Sequence, residues 1–231
     1  MPLETVFLDA GGVLMFPNWT RISGALARQG VQVAPDTLAR AEPHARRQID
    51  DLKVIGWTDD AARGWLFFDL ILERAGIPRS DATAAALAEL HAYHQANNLW
   101  EFVPSNVKPA LAAMRAGGLR LTVVSNANGT LSAHMARLGL DTMVDCVLDS
   151  CDEKVEKPDP RLFRIALDRS NARPETTIHV GDLYHVDVVG ARSAGLRGVL
   201  LDEADLRPDA DCPRVRSLDD LVARIDAGEF D

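Results

Sequence analysis

From Pro104 onward the sequence alternates short apolar runs with longer amphipathic ones, and that alternation leaves few architectures open. Leu119–Asn126 (LRLTVVSN), the stretch near Val144–Leu148, Thr176–Val180 within TTIHVGD, and Leu196–Leu201 have the length and β-branched content of strands buried on both faces. Between them lie helical patterns over Ser105–Ala116, Gly129–Leu138, Pro160–Asp168 and Val186–Ala194, and Ser217–Ile225 closes the chain as an amphipathic helix. Strands joined through helices run parallel, and right-handed crossovers put helices on both faces, so the pattern predicts a doubly wound α/β sheet. Asp202–Arg214, with its Asp and Pro residues, reads as a surface loop.

The first strand belongs to the same sheet. Thr5–Leu8 is a short run of buried-strand type, Asp9 follows where the strand must end, and Gly11 and Gly12 allow a sharp turn and close approach to a ligand. Ligands of open parallel sheets bind outside the carboxyl ends of the strands, which is where Asp9 stands; an Asp that merely caps the turn is the plain alternative. After Leu14 the pattern is helical until about Asn98. One helix covers Pro17–Gln29, a second Pro35–Ile49 with Pro43 expected to kink or break it, a third opens at Thr58, Asp59 and Asp60, and Asp81 caps a fourth. The block carries no strand signal. The expected organisation is therefore a core domain of residues 1–15 and 100–231 interrupted by an all-helical insertion of residues 16–99.

Composition narrows the partners. A formal net charge of -9 with no basic run opposes binding to nucleic acid. Cys146, Cys151 and Cys212 form no C-x-x-C pair and suggest neither a disulfide framework nor a zinc site. The start of the chain enters a strand directly and no apolar run reaches membrane-spanning length, so the expectation is a cytoplasmic protein without a membrane partner.

Three later strand ends carry polar residues complementary to Asp9. Ser125 and Asn126 end one strand, Lys157 follows another in the run EKPDP, and Gly181 and Asp182 end a third with Asp187 shortly beyond. Taken singly, Ser125 reads as a cap, Lys157 as a solvated lysine, Asp182 as a turn residue and Asp187 as a helix cap. Their joint occurrence at strand C-termini points instead to one crevice of carboxylates, a lysine and a hydroxyl, suited to a hard cation such as Mg²⁺ and a phosphoryl group.

These segments resemble the four motifs of the haloacid dehalogenase-like (HAD) hydrolase superfamily, in the subfamily with a helical cap after the first strand: FLDAGGVL, VVSN, KPDPRLF and HVGDLYHVDVVGARSAGL. The resemblance implies that the insertion is a cap domain, that Asp9 is a nucleophile forming an aspartyl-phosphate, and that Mg²⁺ is held by Asp9, the Gly11 carbonyl and Asp182, with Asp187 supporting it directly or through water. It also implies that Ser125, with Asn126 and Gly12, binds the phosphoryl group of a small phosphorylated substrate, and that Lys157 neutralises charge. A monomer or a homodimer fits equally.

One position departs from the family pattern. Phosphatases of the family carry a second Asp two residues after the nucleophile, as general acid and base, and here Gly11 stands there. Such help is worth about 10² to 10⁴ in rate, so the chain is expected to be slow, to prefer aryl or acyl phosphates, or to borrow a donor from His185, Tyr184, His44, His91 or His94. A metal-free 2-haloacid dehalogenase using Asp9, and a non-catalytic phosphate-binding or regulatory protein, are the alternatives. In the insertion, Trp19, Arg21, Arg46, Arg47, Lys53 and Trp57 are candidates for substrate contact.

Overall fold

The computed structural model describes residues 1–51 and 60–231; the expected cap at Thr58 and Asp59, and Lys53 and Trp57, lie outside the described residues. The chain divides into two compact units, one of residues 1–15 and 103–231, the other of residues 16–102. Strand β1 (Thr5–Leu8) opens the first unit and is buried along its whole length.

The second unit is built from helices α1 (Trp19–Arg28), α2 (Pro35–Ile49), α3 (Asp60–Arg74) and α4 (Asp81–Asn97). Its two chain ends are tied by reciprocal backbone hydrogen bonds between Phe16 and Phe102, of 2.8 and 3.0 Å. Asn18 caps α1 by accepting from the Arg21 N–H. α2 runs unbroken through Pro43, contrary to the expected break. A proline inside a helix costs about 3 kcal/mol, and here burial of the stripe Leu38, Ala41, Ala45 and Ile49 opposes it. The cap of α4 is Ser80 rather than Asp81: Ser80 is extended, at φ -158°, and shares a reciprocal capping box with Thr83, which leaves Asp81 in the first turn.

The first unit continues with α5 (Val107–Ala116), β2 (Arg120–Ser125), α6 (Leu131–Leu138), β3 (Cys146–Asp149), the short α7 (Ser150–Glu153) and α8 (Pro160–Ser170). β4 (Thr177–Gly181), a wide helical turn over Tyr184–Val188, α9 (Val189–Ser193), β5 (Arg197–Leu201), β6 (Arg214–Val215) and α10 (Leu218–Asp226) complete it. The six strands form one parallel sheet in the order β3-β2-β1-β4-β5-β6. Phe7, Val124, Leu148, Phe163, Ala166, Ala191 and Leu196 make a core cluster between this sheet and its helices.

Two expectations need correction here. Arg214 does not end a loop but starts edge strand β6, where Leu200 and Leu201 pair with Arg214 and Val215. Two residues carry no period, so nothing in the sequence marked them. The expected helix over Val186–Ala194 is split into the wide turn and α9, because the Asp187 carboxylate accepts the Leu183 N–H and shapes the turn's start.

Register sets the site. Leu8 pairs with Val123 on one side and Val180 on the other, so Asp9, Ser125 and Asp182 all emerge at the carboxyl edge of three adjacent strands. Strand order reverses around β1, the switch point at which parallel sheets open a crevice.

Candidate active site

Asp9 is held at both backbone and side chain. Its N–H donates to the Val180 carbonyl at 2.9 Å, and its Oδ1 accepts from the Ala10 N–H at 2.8 Å and faces Lys157 Nζ at 3.0 Å. Oδ2 has no hydrogen-bond partner among the described residues. The chain then turns back: the Leu14 and Met15 N–H groups donate to the Ala10 carbonyl, and Gly12, at φ +76°, donates to Met15. That positive φ is the reason for glycine at position 12.

Lys157 overturns the plain reading of a solvated lysine. It is 1% exposed, with Nζ between Asp9 Oδ1 and Asp187 Oδ1, at 3.0 and 2.7 Å. Burial alone would lower its pKa, but the Asp187 and Asp9 carboxylates outweigh that and hold the ammonium well above the ordinary lysine value. For Asp187 burial acts upward, and Lys157 followed by His179 outweighs it, leaving the carboxyl well below the usual range. Both groups stay ionised.

Asp187 fits only because of Gly181. A Cβ at that position would lie 2.0 Å from the Asp187 Cγ, so any side chain there would evict the carboxylate. Seated against β4, Asp187 receives Lys157 and His179 Nε2 (2.9 Å) on Oδ1 and the Leu183 N–H (3.0 Å) on Oδ2. Reading the sequence missed His179. A histidine in a strand that is otherwise apolar was the available signal, but pattern alone does not say which neighbour it meets.

Asn126, expected to bind substrate, holds the Lys157 main chain. Its Oδ1 accepts the Lys157 N–H at 2.8 Å and its Nδ2 donates to the Lys157 carbonyl at 3.1 Å, which clamps the lysine's main chain. The loop bearing Asn126 is fastened in turn by Asp149, whose carboxylate accepts from the N–H groups of Gly129, Leu131 and Cys151, and by Ser150 Oγ, which accepts from Ala127 N–H. Ser125 is buried, and among the described residues its hydroxyl makes only a 3.5 Å contact, with the Asn126 carbonyl.

Asp9, Asp182 and Asp187 each offer a carboxylate oxygen within 4.8 Å of the others. Three like charges against one lysine leave an excess negative charge that a divalent, oxygen-preferring cation would offset. The donor set fits such an ion.

Several of the other expected donors and contacts have partners of their own. The Tyr184 hydroxyl donates to Asp211 at 2.5 Å, and that bond, then burial, raises its pKa. His91 stacks on Trp65 at 4.4 Å, and His94 Nδ1 accepts the Leu99 N–H. Arg21 pairs with Glu101 at 2.8 Å and lies over the Tyr93 ring, while Arg46 is buried against Glu42. Arg47 and His44 are exposed and Trp19 is half-buried.

Carboxylates gathered around one buried lysine at the carboxyl edge of a doubly wound parallel sheet mark an α/β protein with a candidate site at its switch point. The chain belongs to the haloacid dehalogenase-like hydrolase family, whose model matches residues 3–195. It is 38% identical over 130 residues to haloacid dehalogenase-like hydrolase domain-containing protein 3 of Danio rerio, a match covering 54% of this chain and 53% of that one. The matched part therefore spans about half the length of that relative. It is 34% identical over 162 residues to ribulose-1,5-bisphosphate 5-phosphatase of Halopiger xanaduensis, covering 68% of this chain and 66% of the other. A HAD-hydrolase of Bacillus subtilis solved with magnesium superposes with a TM-score of 0.69 at 16% identity, over 97% of this chain and 99% of that one, a likeness of fold.

Proposed function

We propose that the protein is a Mg²⁺-dependent phosphohydrolase of small phosphorylated substrates, in which Asp9 forms an aspartyl-phosphate and residues 16–102 act as the cap. The observation that carries this reading is Lys157, buried as a cation and shared between Asp9 and Asp187 at 3.0 and 2.7 Å. A lysine so placed offsets the repulsion between an anionic nucleophile and an anionic phosphoryl group. Phosphatase relatives such as the Halopiger enzyme support the same class of substrate.

Asp9 Oδ2 attacks phosphorus while Oδ1 stays tied to Lys157 and the Ala10 N–H, which aligns the nucleophile before the bond forms. The leaving oxygen departs with its electron pair; water then attacks phosphorus, the Asp9 Oδ2–P bond breaks to regenerate the carboxylate, and inorganic phosphate leaves carrying the water oxygen while a proton passes to solvent. Ser125 Oγ donates to a phosphoryl oxygen, and Lys157 balances the charge that builds there. Asp9, Asp182 and the Gly11 carbonyl would hold Mg²⁺, with Asp187 behind them, and the ion would supply charge neutralisation on the phosphoryl oxygens. Gly11 offers no proton to the leaving group, so turnover is slow on alkyl phosphates and faster where the leaving group is aryl or acyl. The acidic set argues against a metal-free dehalogenase, which has no use for a third carboxylate at Asp182.

The test is release of phosphate from an aryl phosphate with Mg²⁺ or with chelator, beside Asp9→Asn and a chloride-release assay on 2-chloropropionate. Metal-dependent phosphate release that Asp9→Asn abolishes is the expected result. Chloride release in chelator would replace this reading with the dehalogenase one.

A further inference from the structure

His179 sits at the centre of β4, fully buried, and no step described so far uses it. Its Nε2 lies 2.9 Å from Asp187 Oδ1, the oxygen that also receives Lys157. Its Nδ1 has no hydrogen-bond partner among the described residues. A buried polar atom without a partner destabilises a fold, and an apolar side chain in the same slot would avoid that cost. What an apolar residue lacks is the donor aimed at Asp187. The Phe163 ring packs T-shaped against the imidazole, with centroids 4.9 Å apart and planes at 78°, and so restrains the plane in which this donor meets the carboxylate. An ionised carboxylate only accepts, so the proton sits on Nε2, which donates to Asp187 while Nδ1 is bare in the neutral ring.

We infer that His179 is a positioning residue of the active site: by donating to Asp187 Oδ1 it holds that carboxylate against Gly181, and so sets Lys157 Nζ against Asp9. The assignment rests on the phosphohydrolase reading for its kinetic consequence and on the resting structure for its geometry. The Gly181 backbone closes one side of Asp187 and the Leu183 N–H holds Oδ2, so the position of Oδ1 is left to His179 and Lys157. With the His179 donor gone, Oδ1 would keep Lys157 as its one partner, and the lysine would follow the carboxylate out of line with Asp9.

The experiment compares His179→Phe, which keeps a ring and removes the donor, with His179→Gln, whose amide nitrogen can reach the same oxygen; His179→Leu serves as a smaller apolar control. Removing a group that orients a ligating or catalytic residue typically lowers activity about 10- to 100-fold. We expect a loss of that size in kcat on an aryl phosphate for the Phe and Leu variants, with KM unchanged and most activity regained in the Gln variant. In a Lys157→Ala background His179→Phe should add nothing, because its effect runs through the lysine. Equal loss in the Gln and Phe variants, or a further loss in the Lys157→Ala background, would overturn the assignment. A second readout needs no turnover: a slowly exchanging imidazole proton on Nε2, seen by proton–nitrogen NMR and assigned by its absence in His179→Phe, should be lost in Asp187→Ala, which removes the acceptor. Its presence on Nδ1 instead would refute the geometry, whereas an inactive wild type with the Nε2 proton in place would refute the hydrolase reading alone.

Discussion

Asn126 shows how a single amide can shape a site through the main chain of another residue. Both ends of its side chain bond the main chain of Lys157, 31 positions away in sequence. Asn126→Ala leaves the Lys157 N–H and carbonyl without these partners, at a cost of about 1–3 kcal/mol, and frees the lysine's Cα. The expected outcome is a lower urea midpoint together with a kcat reduced about 10- to 100-fold. Asn126→Asp keeps the acceptor for the Lys157 N–H but sets a carboxylate oxygen against the Lys157 carbonyl, so its midpoint should fall further than that of the Ala variant. At this scale the sequence pointed to polar residues at neighbouring strand ends, and it did not say which of them bond to one another. Asn126 and Ser125 are neighbours at one strand end, and only the path of the chain around Lys157 separates a clamp from a candidate ligand group. His179 was invisible for the same reason: its partner is eight residues on, beyond a turn whose shape that partner helps to set.

Elements were far more legible. The strands of the sheet, and helices as long as α2 or α8, repeat a period long enough to read, while β6 and α7 are too short to show one. What the period does not report is how closely two elements approach. α9 comes so near the Lys157 loop that a Cβ on Gly190 would lie 2.9 Å from the Phe163 ring and 3.0 Å from the Pro158 Cα. Gly190→Ala must therefore push against backbone next to the lysine. Overpacking of this kind costs about 1–3 kcal/mol. A lowered melting temperature should be accompanied by loss of phosphatase activity, because the displaced segment carries Lys157; a stable variant with full activity would show that α9 yields instead.

Across the whole molecule, the chain interrupts its sheet with an 87-residue helical unit, residues 16–102, yet Asp9, Ser125, Lys157, Asp182 and Asp187 all belong to the other unit. Their buried charges tie the stability of that unit to pH. In chelator, Asp187 has a folded pKa below its ordinary value of 3.8, so its contribution is complete above that pH and is lost as pH falls through the folded value. Burial, partly opposed by Asp187, places His179 below its ordinary 6.5. The unfolded chain then takes up a proton that the folded one refuses, and stability begins to decline once pH drops below about 6.5. Lys157 has the opposite sign: its contribution is complete below its ordinary 10.5 and is lost only as pH rises through a folded value above that. Urea unfolding of the wild type should therefore show a first decline near pH 6.5 and a second in stronger acid. In the difference between wild type and His179→Phe the exposed carboxylates and histidines cancel, so the first decline should be missing from the Phe variant and the second retained. A first decline of equal size in both proteins would assign it to groups other than His179, and would mean that the imidazole is protonated in the fold as readily as in the open chain.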